Sequence, residues 1–140
     1  MSQVEPQIVR RGVVAVISRK DELLVIRRSQ HVLAPGMYCF PGGGIEENES
    51  EEEALVRELQ EELNIAVRPQ RRIWQNVTSW KISLAWWQAE VVSDEIPLAN
   101  PAEVESIHWC TPSEMLTLPN LLESNADFLQ RLIAGEIELK

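Results

Sequence analysis

The apolar positions along the chain change period several times, and each change predicts an element. Gly12–Ser18 (GVVAVIS) is apolar and β-branched almost throughout, and Glu22–Arg27 (ELLVIR) repeats the pattern after Arg19-Lys20-Asp21. Two such runs split by a short polar turn predict the strands of a hairpin. Met37–Phe40 reads as a short strand, ended by Pro41-Gly42-Gly43-Gly44, a predicted loop in which backbone can approach a ligand closely. The period then becomes helical. Ser50–Leu63 is rich in Glu, Leu, Ala and Arg, and Ser50 with Glu53 three residues on forms a capping box. Ile65–Trp74 and Thr78–Val92 read as strands, the second long enough to be bent or bulged, and Val104–Cys110 as another. Thr111 as N-cap with Pro112 in the first turn opens a short helix, and Leu121–Ala134 forms a last amphipathic helix closed by Gly135. No repeat, low-complexity tract or linker interrupts the order. It predicts an α+β sheet with flanking helices in a single domain, residues 1–140.

Composition changes this picture at one place. The chain is 44% hydrophobic and 25% charged, ordinary for a globular protein, yet its formal net charge is -9. Nine carboxylates (Glu46, Glu47, Glu49, Glu51, Glu52, Glu53, Glu58, Glu61, Glu62) face only Arg57 between Glu46 and Glu62, so this window holds nearly all the excess. Such a balance argues against binding nucleic-acid polymers through their phosphates and against a basic membrane-surface protein. Met1–Arg11 contains Glu5 and Pro6 and no apolar core, so it does not read as a signal peptide. Cys39 and Cys110 are too few for a disulfide framework or a four-ligand zinc site, and suit a reducing cytoplasm. Two histidines, His31 and His108, exclude a histidine-rich metal centre.

On a helical projection, Leu55, Val56, Leu59 and Leu63 form an apolar stripe, while Glu58, Glu61 and Glu62 converge on another face. Like charges three and four residues apart cost the helix several tenths of a kcal/mol per pair. The C-terminal half of a helix is moreover the wrong end of its dipole for carboxylates. A hard divalent cation with oxygen ligands resolves that conflict. A merely solvated acidic face is the competing explanation.

The loop before the helix decides between them. Gly43, Glu49, Arg57-Glu58-Leu59, Glu61-Glu62 and Ile65, preceded by Pro41-Gly42, resemble the signature box of the Nudix hydrolases, particularly the MutT-like members, with every spacing intact. One position departs: Asn64 stands where the family closes the helix with Gly. Asn is the residue that best replaces Gly in a left-handed conformation.

The resemblance implies an α/β/α sandwich around a mixed sheet, and Mg2+- or Mn2+-dependent hydrolysis of a nucleoside diphosphate linked to another moiety. It implies Glu58, Glu61 and Glu62 as metal-binding glutamates, with the carbonyl of Gly42 as a backbone ligand. Arg57 would orient the glutamates, Glu49 would brace the loop, and Gly43 would border the substrate. Glu58 is the first choice for general base, with Glu103 outside the box as rival. Arg27 and Arg28 end a strand whose side chains alternate, so one of them can reach phosphate, and the resemblance favours Arg27. His31 lies in a loop able to border the site. Of the five tryptophans, Trp86 and Trp87 must face opposite sides of a strand, and core packing is the expectation for any one of them. Tyr38 is expected to pack under the loop.

The substrate is less marked. The chain lacks the tyrosine of dinucleoside polyphosphate hydrolases, the proline of ADP-ribose hydrolases and the NADH-type run, and only partly echoes the coenzyme A pattern. Nucleoside triphosphate pyrophosphohydrolysis remains, with ADP-ribose or a coenzyme A-type substrate as alternatives. A non-catalytic nucleotide-binding module would tolerate loss of the metal glutamates, yet all three are present. The expected partner is a small nucleotide, without nucleic-acid polymer or membrane; a homodimer is left open.

Overall fold

The computed structural model describes residues 10–92 and 94–140; most of the stretch searched for a leader, residues 1–9, lies outside the described residues. β1 (Arg10–Arg19) and β2 (Glu22–Arg28) are buried on both faces, as their unbroken apolar runs require. Val13, Ala15 and Ile17 point into one core with Leu24 and Ile26, while Val14 and Val16 point into a second with Leu23 and Val25. Period two therefore feeds two cores from the same strands.

β3 (Tyr38–Cys39), β4 (Gly42–Gly44), β5 (Val67–Val77), β6 (Ile82–Val91) and β7 (Val104–Cys110) complete a seven-stranded mixed sheet. Its main path runs β3-β2-β1-β6-β5, with β4 on β1 and β7 on β2; β1 and β6 are parallel. Helix α1 (Glu51–Leu63) covers the first core through Leu55, Leu59 and Leu63. Helices α2 (Pro112–Leu116) and α3 (Glu123–Ile133) cover the second through Met115, Phe128 and Leu129. Trp86 lies in that second core, stacked on Phe128 with ring centroids 4.8 Å apart, and Trp87 turns the other way. Among the described residues no helix is long and apolar enough to cross a membrane.

Three expectations are corrected. The hairpin pairs only at its turn, Ser18 with Leu23 and Arg19 with Glu22, after which β1 joins β4 and β6 while β2 joins β3 and β7. The predicted glycine loop is instead strand β4, because β1 offers an edge to which its bare backbone pairs. Thr78–Val92 begins with a turn, and the register shifts fall on β5, between Pro69 and Arg71 and between Arg72 and Trp74.

Candidate active site

Helix α1 begins as the sequence predicts. Ser50 accepts from the Glu53 amide at 3.0 Å and Glu53 accepts from the Ser50 amide at 2.9 Å. It ends at Asn64, held left-handed at φ 55°, so Asn takes the conformation that the missing Gly would. Between these caps the acidic face divides. Glu58 and Glu62 are buried, whereas the Glu61 side chain is 48% exposed and Val56 lies outside the core. The three carboxylates therefore differ in burial: Glu58 and Glu62 lie under β4, and Glu61, which shares an Arg57 nitrogen with Glu58, stays at the rim.

Arg57 organises the division. Its Nε and one terminal nitrogen donate to the two oxygens of Glu49 at 2.7 and 2.9 Å, a bidentate fork. The same terminal nitrogen donates to the Gly44 carbonyl at 2.8 Å, and the other to Glu58 Oε1 at 2.9 Å and Glu61 Oε2 at 3.2 Å. Glu49 also accepts from the Glu46 amide. The Arg57 fork and that amide together hold the Glu49 carboxyl down at about 2.

The other two glutamates move the opposite way. Burial pushes Glu62 up to about 8, against the hydrogen bond that Gly42 donates to it at 2.9 Å, and the charges of Glu58 and Glu103 add to the rise. Burial likewise pushes Glu58 up to about 7, with Arg57 opposing and Glu61 and Glu103 reinforcing. These acids are costly to ionise unless a cation joins them.

Glu58, Glu62 and Glu103 line one cavity of about 200 Å³ with Arg28, Val32 and Gly42–Gly44. Glu103 Oε2 is buried there without a hydrogen-bond partner. Two buried acids with a third carboxylate oxygen facing the same cavity make an oxygen-rich, negatively charged site that fits a hard divalent cation. Among the described residues no three His, Cys, Asp or Glu side chains form a ready-made cage.

The glycines fit the same cavity. A Cβ on Gly42 would strike the Val13 carbonyl of β1, and a Cβ on Gly43 would strike the Glu58 carboxylate. The two substitutions should therefore separate. Gly42→Ala, which pushes on backbone, is expected to lower the melting temperature by an amount equivalent to about 1–3 kcal/mol. Gly43→Ala, which meets only a side-chain end, should fold with a smaller loss and yet cut turnover about a hundredfold as Glu58 is displaced. Thermal melts and initial rates check both.

The remaining candidates divide. Arg28, not the favoured Arg27, lines the cavity, its Nε donating to the Leu33 carbonyl at 2.6 Å. Arg27 faces away, donating to Gly36, pairing with Glu105 at 3.2 Å and lying over Tyr38. A register shift between β2 and β7 at this point carries the chain past Glu105. Val32 stands on the cavity wall, while His31 lines neither this cavity nor its neighbour.

That neighbour is a groove of about 640 Å³ sharing Arg28 and Gly42–Gly44 with the acidic cavity. Leu33, Met37, Trp80 and Leu84 supply apolar wall, and Asn76, Ser124 and Asp127 supply polar groups. Sequence reasoning missed these three polar residues, which come from β5 and α3. Trp80, 62% exposed at the turn before β6, was the only available signal.

The NUDIX domain family matches residues 8–132. The chain is similar to a CTP pyrophosphohydrolase of Escherichia coli K12, 33% identical over 110 residues that cover 76% of this chain and 79% of that one. It is 31% identical to an NAD-capped RNA hydrolase of Stutzerimonas stutzeri over 77% of this chain but only 38% of that longer protein. In fold it resembles a MutT protein from Methanosarcina mazei, with a TM-score of 0.78, 24% identity and coverage of 96% of this chain and 99% of the other.

Proposed function

The chain belongs to the Nudix family of hydrolases acting on phosphorus-containing anhydrides, and on that premise we propose that it is a nucleoside triphosphate pyrophosphohydrolase dependent on Mg2+ or Mn2+. The observation that carries this reading is the adjacency of the two cavities: an acidic one sized for phosphates and cations shares Arg28 and Gly42–Gly44 with a groove sized for a nucleoside.

When bound, the divalent metal supplies Lewis-acid stabilisation of the charge that develops on the phosphoryl oxygens. Glu58, Glu62 and the Gly42 carbonyl would hold it, with Glu61 at the rim. Arg57 keeps Glu58 in place and Glu49 keeps Arg57 in place. Glu103 Oε2, the oxygen without a partner, takes the proton of the attacking water. This assignment prefers Glu103 to Glu58, whose Oε1 already accepts from Arg57. Water then adds to phosphorus, the anhydride P–O bond breaks, and nucleoside monophosphate and pyrophosphate leave. Arg28 at the junction binds the phosphates.

The groove supports one class of base. Trp86 Nε1, a donor only, donates to Asn76 Oδ1 at 2.7 Å. That fixes the Asn76 amide, whose NH2 donates one hydrogen to Ser124 Oγ at 3.3 Å and keeps the second for a ligand. Asp127 offers a carboxylate acceptor. One donor and one acceptor suit a base edge with an exocyclic amine beside a ring acceptor, as in cytosine. The similarity to a CTP pyrophosphohydrolase supports the same reading. A reducing cytoplasm suits Cys39, whose thiol burial pushes up to about 11 and so keeps unreactive.

A panel of nucleoside triphosphates, ADP-ribose, dinucleoside polyphosphates and coenzyme A, with Mg2+ and with EDTA, tests the proposal. Expected is metal-dependent pyrophosphate release, faster from CTP or dCTP than from UTP. Turnover confined to ADP-ribose or coenzyme A would replace the triphosphate reading. Metal binding with no turnover of any substrate would make the chain a binding module.

A further inference from the structure

The last carbonyls of α1 lack intrahelical donors, as at any helix end, and here one segment supplies them. Leu98 donates its amide to the Leu63 carbonyl at 2.9 Å, Asn100 its amide to the Glu62 carbonyl at 2.9 Å, and Asn100 Nδ2 to the Glu61 carbonyl at 3.2 Å. From Asn64, Nδ2 donates to the Leu98 carbonyl at 2.9 Å. The segment then folds back on Asn100. Its Oδ1 accepts from the Ala102 amide at 3.2 Å, and its carbonyl from the Glu103 and Val104 amides at 2.9 and 2.8 Å. Every polar atom of Asn100 is engaged, half toward the helix that carries Glu58 and Glu62 and half toward the turn that carries Glu103. Buried Ser29 closes the far side, its hydroxyl donating to the Ala102 carbonyl at 2.9 Å and its amide to that of Glu103 at 3.0 Å.

Glu103 needs such support. Its charge opposes those of Glu58 and Glu62, and no hydrogen bond among the described residues holds its buried oxygen. Its place against those two carboxylates must come from the backbone. We propose that Asn64 and Asn100 are positioning residues that clasp the end of α1 to the 98–104 turn and so set where Glu103 stands relative to Glu58 and Glu62. Asn64 thereby does more than replace a glycine: it takes the left-handed conformation and adds a tether that Gly lacks. The inference rests on the assignment of Glu103 as the proton acceptor.

The test uses Asn64→Gly, which keeps the helix ending and removes only the tether, and Asn100→Ala, which removes the side-chain bonds and keeps the backbone ones. For each, kcat at saturating Mg2+ is expected to fall about tenfold with KM for the nucleotide little changed, the size typical of losing an outer partner of a metal site. Mn2+ affinity in calorimetry should change little, because the clasp sets the proton acceptor and not the residues that would hold the metal. In a Glu103→Gln background, the further loss of kcat on adding Asn100→Ala should vanish, because two residues acting as one unit are not additive.

Wild-type kcat in both variants would overturn the clasp. So would an undiminished effect in the Glu103→Gln background, which would mark a general stability role. Should Asn100→Ala fail to fold, Asn64→Gly carries the same measurements. Full activity of Glu103→Gln alone would instead defeat the assignment of Glu103, and the clasp with it, while a damaging Glu103→Gln beside neutral Asn64→Gly and Asn100→Ala would defeat only the clasp.

Discussion

Glu62→Gln is expected to lose at least about a hundredfold in turnover, since it removes a proposed metal ligand rather than an outer partner, while raising the melting temperature of the metal-free protein above pH 8. The gain follows from burial. Glu62 is 6% exposed, its folded pKa is raised to about 8, and Glu58 and Glu103 repel its charge. A Gln keeps an oxygen to accept from the Gly42 amide and carries no charge to desolvate. At pH 5 Glu62 is protonated in the folded chain, so the stability gain should disappear there. Melts of both proteins in EDTA at pH 5 and pH 8.5, with initial rates in Mg2+, decide the matter. A variant that is active, or that is less stable at pH 8.5, would show that the carboxylate serves the fold instead.

A second large effect concerns the wild-type protein without metal. Glu62 and Glu58 have folded pKa values raised to about 8 and about 7 from an ordinary 4.5. The folded state therefore binds protons that the unfolded state has released. The stabilisation is fully present below pH 4.5 and is lost as pH rises through 7 and 8. Glu49 acts in the opposite sense: lowered to about 2 by Arg57, its contribution is present above pH 4.5 and lost as pH falls toward 2. In EDTA, stability should accordingly peak near about pH 5 and fall by on the order of a few kcal/mol toward pH 8.5. Mg2+ or Mn2+ should restore it at the alkaline end, where the carboxylates are free to bind, and do little at pH 5. Urea unfolding across this range with and without metal is the measurement. Stability that rises between pH 5 and 8.5 in EDTA, or that metal leaves unchanged at pH 8.5, would contradict the site.

Both expectations depend on a distinction between three similar glutamates that their spacing hides. Glu58, Glu61 and Glu62 fall on one arc of a helical projection, and their repulsion there was already a reason to look for a cation. Which of them is buried depends on where β4 crosses α1, and β4 read as a loop because three glycines carry no hydrophobic pattern. Arg27 and Arg28 illustrate the same limit. Strand alternation says that they point to opposite faces, but only the pairing with β7 and its shift at Glu105 says which face meets the carboxylates.

The sequence by itself determined the elements whose causes are local. Period two and unbroken apolar runs marked β1, β2 and β7; a capping box marked the start of α1, and Thr111 with Pro112 that of α2; the motif from Gly43 to Ile65 named the family and its chemistry. These signals span a few residues, so the chain states them directly. Tertiary structure decided which carboxylates lie in the dark of the cavity, that Arg28 faces them, and that Asn76, Ser124 and Asp127 meet in one groove. It also decided that Asn100 joins the turn of Glu103 to the end of α1. These are facts of burial and of contact between distant segments, and burial is set by what packs on a residue, which no local pattern encodes.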